Sequence, residues 1–183
     1  RTSFRVLEYG FLINPGTNDH ILFHLQNLNG YDSLMPSDAV ELTEVNYGLE
    51  PKLLDMLAVR YILLNDKTTI GTEDYRQAAH DTEHSIIVYE RKPQKRAFVV
   101  HRVQVAPHSE ALARMTDPAF DPRQTAIVES SPSCAFSEPS GKDSVTLADD
   151  AIDRVTFRVR AVSDGFLIMS DTFYPGWRAT VDG

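Results

Sequence analysis

Two pairs of histidines stand four residues apart, the spacing at which a helix presents both imidazoles on one face to a metal ion. The pairs are His20 with His24 and His80 with His84. Neither contains the glutamate of the His-Glu-x-x-His zinc motif, and the sequence marks no third ligand of the kind that a zinc site needs. The sequence therefore favours ordinary packing or surface histidines, and we expect neither a metal ion nor a cofactor.

A second group of residues that could do chemistry is aromatic. Phe173, Tyr174 and Trp177 follow Asp171 within a few positions. An aromatic ring can stack on the apolar face of a pyranose, and a carboxylate can accept hydrogen bonds from sugar hydroxyls. We therefore name Asp171, Tyr174 and Trp177 as candidate ligand-binding residues for a saccharide.

A packing role for the indole is the favoured alternative. Trp177, Ala179 and Val181 alternate with Arg178 and Thr180, which predicts a half-buried strand with Trp177 on its core side. Large aromatic side chains most often serve as core.

The pair Tyr31 and Asp32 follows an Asn29-Gly30 helix stop and is open to the same two interpretations, loop anchoring or ligand contact. Nucleophile motifs are absent: the sequence has no Gly-x-Ser-x-Gly and no Gly-rich phosphate loop, and its single Cys134 has no histidine nearby in sequence. A hydrolytic triad could still assemble in space, but no motif favours one. We expect no catalytic residue.

Hydrophobic periodicity predicts the elements that hold these residues. Helical spacing predicts helices over Ile21–Leu28, from Pro51 through Leu57, and after Ser109 as a capping residue. Residues 65–84 are polar and predict an exposed loop, as do residues 130–143, which are rich in Ser, Pro and Gly. Strands are predicted at Phe4–Leu7, Val59–Leu64, Ile86–Glu90, Ala97–Val105 and Ala126–Val128.

The last thirty residues show the clearest alternation. Residues 154–161 predict a strand, Asp164-Gly165 predicts a hairpin turn, and Phe166–Met169 predict the returning strand. Asp182-Gly183 is a second hairpin turn motif without a following strand. Because the chain also starts at Arg1 rather than Met, we expect it to be a piece of a longer protein.

Composition excludes several classes of function. The formal charge of −8 and the lack of a basic cluster argue against nucleic acid as a partner. Hydrophobic residues at 42% and charged residues at 24% are typical of globular proteins. No apolar run approaches the roughly 18 residues of a membrane span.

The predicted fold class is α+β. A small mixed α/β part over residues 1–92 precedes a β-rich part over residues 93–183, which we expect to form an incomplete antiparallel sheet or sandwich, truncated at its carboxyl end.

Three phrases, in this order, resemble the YfhO family of bacterial multi-spanning membrane proteins. They are NGYDSL at Asn29–Leu34, LLDMLAVRYIL at Leu53–Leu63 and SDTFYPGWRATVDG at Ser170–Gly183. The third is the most specific, and the resemblance covers nearly the whole chain, which corresponds to that family's C-terminal region.

The resemblance implies a parent protein that looks like a membrane-embedded C-type glycosyltransferase using polyprenyl-phosphate-linked sugars. Its catalytic residues would lie near the first membrane helices, outside this chain. We therefore expect a soluble accessory domain on the extracytoplasmic side of the bacterial cell membrane. Its partners would be the remainder of the parent protein and a saccharide or lipid-linked sugar. A carbohydrate-binding module and a purely structural or assembly domain are the alternatives.

Overall fold

Strands make up most of the regular structure, about 41% of the described residues, against about 13% in helices. The computed structural model describes residues 4–9, 24–28, 40–42, 50–68, 70–71, 74–92, 95–133, 136, 138, 141–151, 153–173 and 175–182. The α+β class with a β-rich part, predicted from the sequence, is confirmed.

The largest sheet has five strands in the order β2-β1-β3-β5-β4. Strand β1 runs parallel to β2 and to β3, whereas β5 is antiparallel to both β3 and β4. The sheet is therefore mixed. Its strands are β1 (Arg5–Glu8), β2 (Gln26–Asn27), β3 (Val59–Asn65), β4 (Tyr75–Asp81) and β5 (Ile86–Arg91).

Helix α1 (Pro51–Met56) packs against this sheet through two adjacent leucines. Pro51 suits the first helical position, where a missing N–H costs nothing. Leu53 and Leu54 are fully buried, and Ala58 ends the turn with a positive φ of 54° before β3 begins. The core of this sheet consists of Leu7, Leu54, Val59, Ile62, Leu64 and Ile87.

Three two-stranded sheets follow along the chain. Strand β6 (Ala97–Val100) pairs with β11 (Phe166–Met169), and β9 (Ser144–Asp150) pairs with β10 (Val155–Arg160), both antiparallel. Strands β7 (Arg102–Val105) and β8 (Thr125–Val128) are parallel, and helix α2 (His108–Thr116) lies between them in the chain.

Most of the predicted strands and the helix at Pro51 are confirmed, but several predictions are wrong in the described residues. Residues 65–84 contain β4, an edge strand whose side chains are mostly exposed. Its sequence therefore lacks the apolar alternation that indicates a strand. Gln26 and Asn27 form β2 rather than helix; the predicted start of that helix lies outside the described residues. Helix α2 begins at His108 after Pro107, so Ser109 is not its cap.

A further wrong prediction concerns the Asp164-Gly165 turn. Strand β11 does not return along β10 but pairs with β6, far earlier in the chain. The hairpin partner of β10 is β9, whose short and acidic side chains obscured it in the sequence.

Contacts cross the predicted boundary at residue 92 and join α1 to residues that follow α2. Lys52 Nζ donates to the carbonyls of Asp117 and Pro118 at 2.8 and 2.9 Å. Arg123 and Asp55 form an ion pair of 2.6 Å. No helix among the described residues is long and apolar enough to cross a membrane.

Candidate functional site

Asp171, one of the candidate ligand residues, lies where the two halves of the chain meet. It follows β11 directly, and its two carboxylate oxygens accept hydrogen bonds from two different arginines. Arg5, at the start of β1, pairs with Oδ1, and Arg96, just before β6, pairs with Oδ2 at 2.6 Å. Arg96 also pairs with Asp150 at 2.9 Å. We call Arg5, Arg96, Asp150 and Asp171 the buried charge cluster.

The buried charge cluster balances two positive and two negative groups away from water. Arg5 and Arg96 are both buried. Burial lowers the pKa of the Arg5 guanidinium, and the neighbouring Asp171 carboxylate opposes that shift. Arg5 Nη1 also donates to the carbonyl of Leu57 at 2.9 Å. These contacts give Asp171 a structural role, while saccharide binding by this carboxylate stays a prediction.

An apolar groove opens beside Asp171. It has a volume of about 280 Å³ and lies between α1, α2, β8 and the segment that follows β11. Ser170, at its edge, donates a hydrogen bond from its hydroxyl to the carbonyl of Met56, which fixes that segment against α1. Side chains from these elements, from β6 and from the loop after α2 form the walls, among them Leu53, Met56, Phe98, Met115, Phe120 and Phe173.

The segment after Asp171 exposes large apolar side chains instead of burying them. Phe173 is 74% exposed, Trp177 is 40% exposed and Val181 is 88% exposed. Residues 177–181 belong to no strand, so the predicted core-facing strand is wrong. The alternating sequence finds no neighbouring strand in the described residues to supply ladder hydrogen bonds, and alternation without a ladder does not bury one face.

The other candidate ligand residues lie outside the described residues. They are Tyr31, Asp32 and Tyr174. The structure thus brings Asp171, Phe173 and the groove together and leaves Trp177 exposed along the same segment.

A serine, a histidine and an aspartate that the sequence did not single out come together in space. His101 Nδ1 lies 3.1 Å from Ser163 Oγ, and His101 Nε2 lies 2.8 Å from Asp143 Oδ2. The three residues are scattered over sixty positions. The pairing of β6 with β11, which the sequence did not predict, brings Ser163 to His101, and the contact between β6 and β9 brings Asp143 to it.

This arrangement is not poised for nucleophilic catalysis. The same Nδ1 lies 2.8 Å from the carbonyl oxygen of Asp164, which can only accept a hydrogen bond. Nδ1 therefore carries a proton and is not free to take one from Ser163, as the base of a triad must. The trio is a set of hydrogen bonds rather than an activated nucleophile.

The histidine pairs do not assemble a metal site in the part of the chain that the structure describes. His80 lies on β4 and contacts Asp66 at 3.5 Å, whereas His84 Nδ1 is 2.9 Å from Asp81. His20 is outside the described residues. No group of three or more potential ligands occurs among those described.

A second charge cluster lies on the five-stranded sheet around Glu90. Its Oε1 accepts hydrogen bonds from Arg60 at 2.9 and 3.1 Å and from the Tyr61 hydroxyl at 3.2 Å, and Oε2 pairs with Arg76. The hydrogen bonds from Arg60 and then Arg76 lower the pKa of Glu90. Oε1 thus accepts three hydrogen bonds and Oε2 accepts one, so protein groups hold the carboxylate in place on the sheet.

Comparison of the chain with protein-family models, with curated proteins and with solved structures finds no match in any of the three.

Proposed function

We propose that this chain is an extracytoplasmic accessory domain of a membrane-embedded, glycosyltransferase-like protein of the bacterial envelope. In this proposal the domain has no chemistry of its own and contacts the remainder of the parent protein. The resemblance of residues 170–183 to the YfhO family motivates the assignment.

The observation that carries the proposal is the apolar character of the groove and of the segment that follows Asp171 in the chain. Phe173, Trp177 and Val181 are exposed along one short segment, and Phe173 also lines the groove. Large exposed apolar side chains next to an apolar groove are typical of a contact site for another protein or for a ligand. The buried charge cluster supports the same function, because it fixes the base of the segment at Asp171.

The location can be tested in cells that make the full-length parent protein. A cysteine placed at Asp153, between β9 and β10 on the surface, should react with a membrane-impermeant maleimide in intact cells once Cys134 is changed to serine. Labelling that requires lysis of the cells would place the domain in the cytoplasm and contradict the proposal.

The contact surface can be tested in the same protein. Phe173→Ser with Val181→Ser should weaken recovery of the separately expressed domain with the membrane part of the parent, while leaving its melting temperature nearly unchanged. Val105→Ser is the matched control, because Val105 is 49% exposed but does not line the groove. Equal recovery of all three proteins would rule out this surface as the contact.

A carbohydrate-binding module is the second candidate, and the exposed indole of Trp177 favours it. Trp177 is the single tryptophan, so its fluorescence reports on that position alone. A saturable change of emission on titration with envelope oligosaccharides, lost in Phe173→Ser, would favour this function over the first. No change with any saccharide would leave the accessory function as the better account.

A further inference from the structure

His101 connects two of the small sheets through both of its ring nitrogens. It follows β6 directly, while Asp143 directly precedes β9 and Asp164 lies in the turn between β10 and β11. Nε2 is 2.8 Å from Asp143 Oδ2, and Nδ1 is 2.8 Å from the Asp164 carbonyl oxygen. The imidazole is only 7% exposed, so water does not compete freely for either contact.

The count of protons on the ring follows from its two main partners. A carbonyl oxygen only accepts hydrogen bonds, and so does an ionised carboxylate. Both ring nitrogens must therefore donate, whereas a neutral imidazole has a single N–H. The doubly protonated imidazolium alone satisfies both partners. The Ser163 hydroxyl, at 3.1 Å from Nδ1, can accept from the same N–H.

We propose that His101 is a protonation-controlled latch, whose imidazolium holds the turn at residues 162–165 and the start of β9 against the end of β6. When the ring loses one proton to solvent, one of its two nitrogens faces an acceptor without a hydrogen between them. That contact becomes repulsive, and the turn is released from His101.

Asp143, which faces Nε2 of His101, also binds the same turn. Asp143 Oδ1 accepts the backbone N–H of Val162 at 2.9 Å while Oδ2 faces the imidazole. Gly165 allows the turn to approach this closely, because a Cβ there would lie 3.0 Å from His101 Nδ1 and 2.7 Å from the Val100 carbonyl oxygen. Release of the ring therefore affects the whole turn.

The groups around the ring also favour the protonated form of His101. The hydrogen bond with Asp143 and then the one with the Asp164 carbonyl raise the pKa of His101 above 6.5, and Glu138 adds to the shift. Burial opposes it. Arg102, the neighbouring cation, is paired with Glu138 at 2.8 Å. For Asp143, burial raises the pKa, but the hydrogen bonds from His101 and Val162 outweigh burial and lower it.

The sign of the pH dependence follows from the raised pKa of His101. A group whose pKa is higher in the folded state stabilises the fold fully below its unfolded pKa, here about 6.5. That contribution is lost as the pH rises through the folded-state pKa. Each unit between the two pKa values corresponds to a tenfold change in the unfolding constant.

The direct test is an NMR titration of the full chain with labelled histidine. The His101 ring should show two protonated nitrogens at pH 6 and should lose one of its protons with a midpoint above 6.5. After correction for intrinsic exchange, the Val162 amide should lose protection over the same pH range. A His101 ring that titrates below 6.5, or a Val162 amide that keeps its protection while His101 titrates, would overturn the latch.

Unfolding in urea supplies a second test. The urea concentration at the unfolding midpoint of the wild-type protein should decrease as the pH is raised from 6 to 9. This decrease should be smaller in His101→Gln and in Asp143→Asn. His108→Gln, at a histidine whose side chain is 63% exposed, should keep the wild-type profile. Parallel profiles for all four proteins would contradict the proposal. If His101→Gln does not fold, the wild-type titration and Asp143→Asn still decide it.

Discussion

Arg5 and Asp171 are 166 positions apart and form an ion pair in which both side chains are largely withdrawn from water. The pair joins the first strand of the five-stranded sheet to the segment after β11. Arg96 binds the second oxygen of the same carboxylate, so the position of Asp171 is defined from two sides. The exposed apolar segment that follows therefore starts from a fixed point.

Replacing Asp171 with asparagine should destabilise the fold strongly. Asp171→Asn removes the charge that compensates two buried guanidinium groups, and breaking a buried pair in this way costs about 3–5 kcal/mol. Urea unfolding would measure the loss. Asp149→Asn is the control, because it breaks an exposed pair with Arg154 and should cost no more than about 1 kcal/mol. Similar losses for the two variants would show that the buried charge cluster does not hold the segment.

Trp177 should behave as a surface residue. Because the indole is 40% exposed, Trp177→Ala should cost about 1 kcal/mol or less, well below the roughly 3–5 kcal/mol for emptying an aromatic from a core. Wild-type fluorescence should be quenched readily by iodide. A blue-shifted, unquenched emission would instead restore the core position that the sequence alternation predicts.

Gly165 should not tolerate a side chain. In Gly165→Ala the new Cβ would lie 2.7 Å from the Val100 carbonyl oxygen and 2.9 Å from Val99 Cγ1, so strand β6 would have to shift. We expect a loss of about 1–3 kcal/mol, the usual cost of overpacking.

Gly71→Ala is the matched control for that substitution. A Cβ at Gly71 would meet no atom of the described residues within 4 Å, so the change should be neutral or slightly stabilising in a thermal melt. If the two alanine variants had the same melting temperature, the backbone around Gly165 would be able to move enough to accommodate the new Cβ.

Glu90 should contribute to the loss of stability in acid. Its pKa is lowered in the folded state from about 4.5, chiefly by the hydrogen bonds from Arg60 and Arg76. The contribution is present above the unfolded pKa and is lost as the pH falls through the folded pKa. The difference in urea midpoint between wild type and Glu90→Gln should therefore be largest at pH 6 and should shrink towards pH 3.

The control for Glu90 is Glu110→Gln, which breaks an exposed pair between Glu110 and Arg114 within α2. Exposed pairs of this kind contribute little, so its profile should follow that of the wild type. A midpoint difference for Glu90→Gln that does not change with pH would show that ionisation of the carboxylate is not what stabilises the cluster.

The sequence predicted elements well where one residue pattern dominates. Pro51 followed by Leu53 and Leu54 specified α1, and the β-branched run after Val59 specified β3, because local propensity and burial agree there. Edge strands such as β4 escaped prediction, since a strand with one exposed face and polar side chains lacks an apolar period.

The candidate site was harder to predict because its contacts are long-range. Asp171 was singled out for sugar chemistry, yet it binds Arg96 because β11 pairs with β6, and it binds Arg5 on β1, 166 positions away. The His101 cluster depends on the same pairing. No spacing motif encodes a contact of this kind when the residues belong to strands so far apart in the chain.

The pairing of β6 with β11 also bears on how the protein is made. Ala97 is opposite Met169, so the first strand of the pair leaves the ribosome 72 residues before its partner. Synthesis adds about 5–20 residues per second, which leaves β6 without this partner for several seconds. During that interval Arg5 has no Asp171 to neutralise it. The five-stranded sheet can form early, but it acquires its final electrostatic balance only when the segment after β11 has been synthesised.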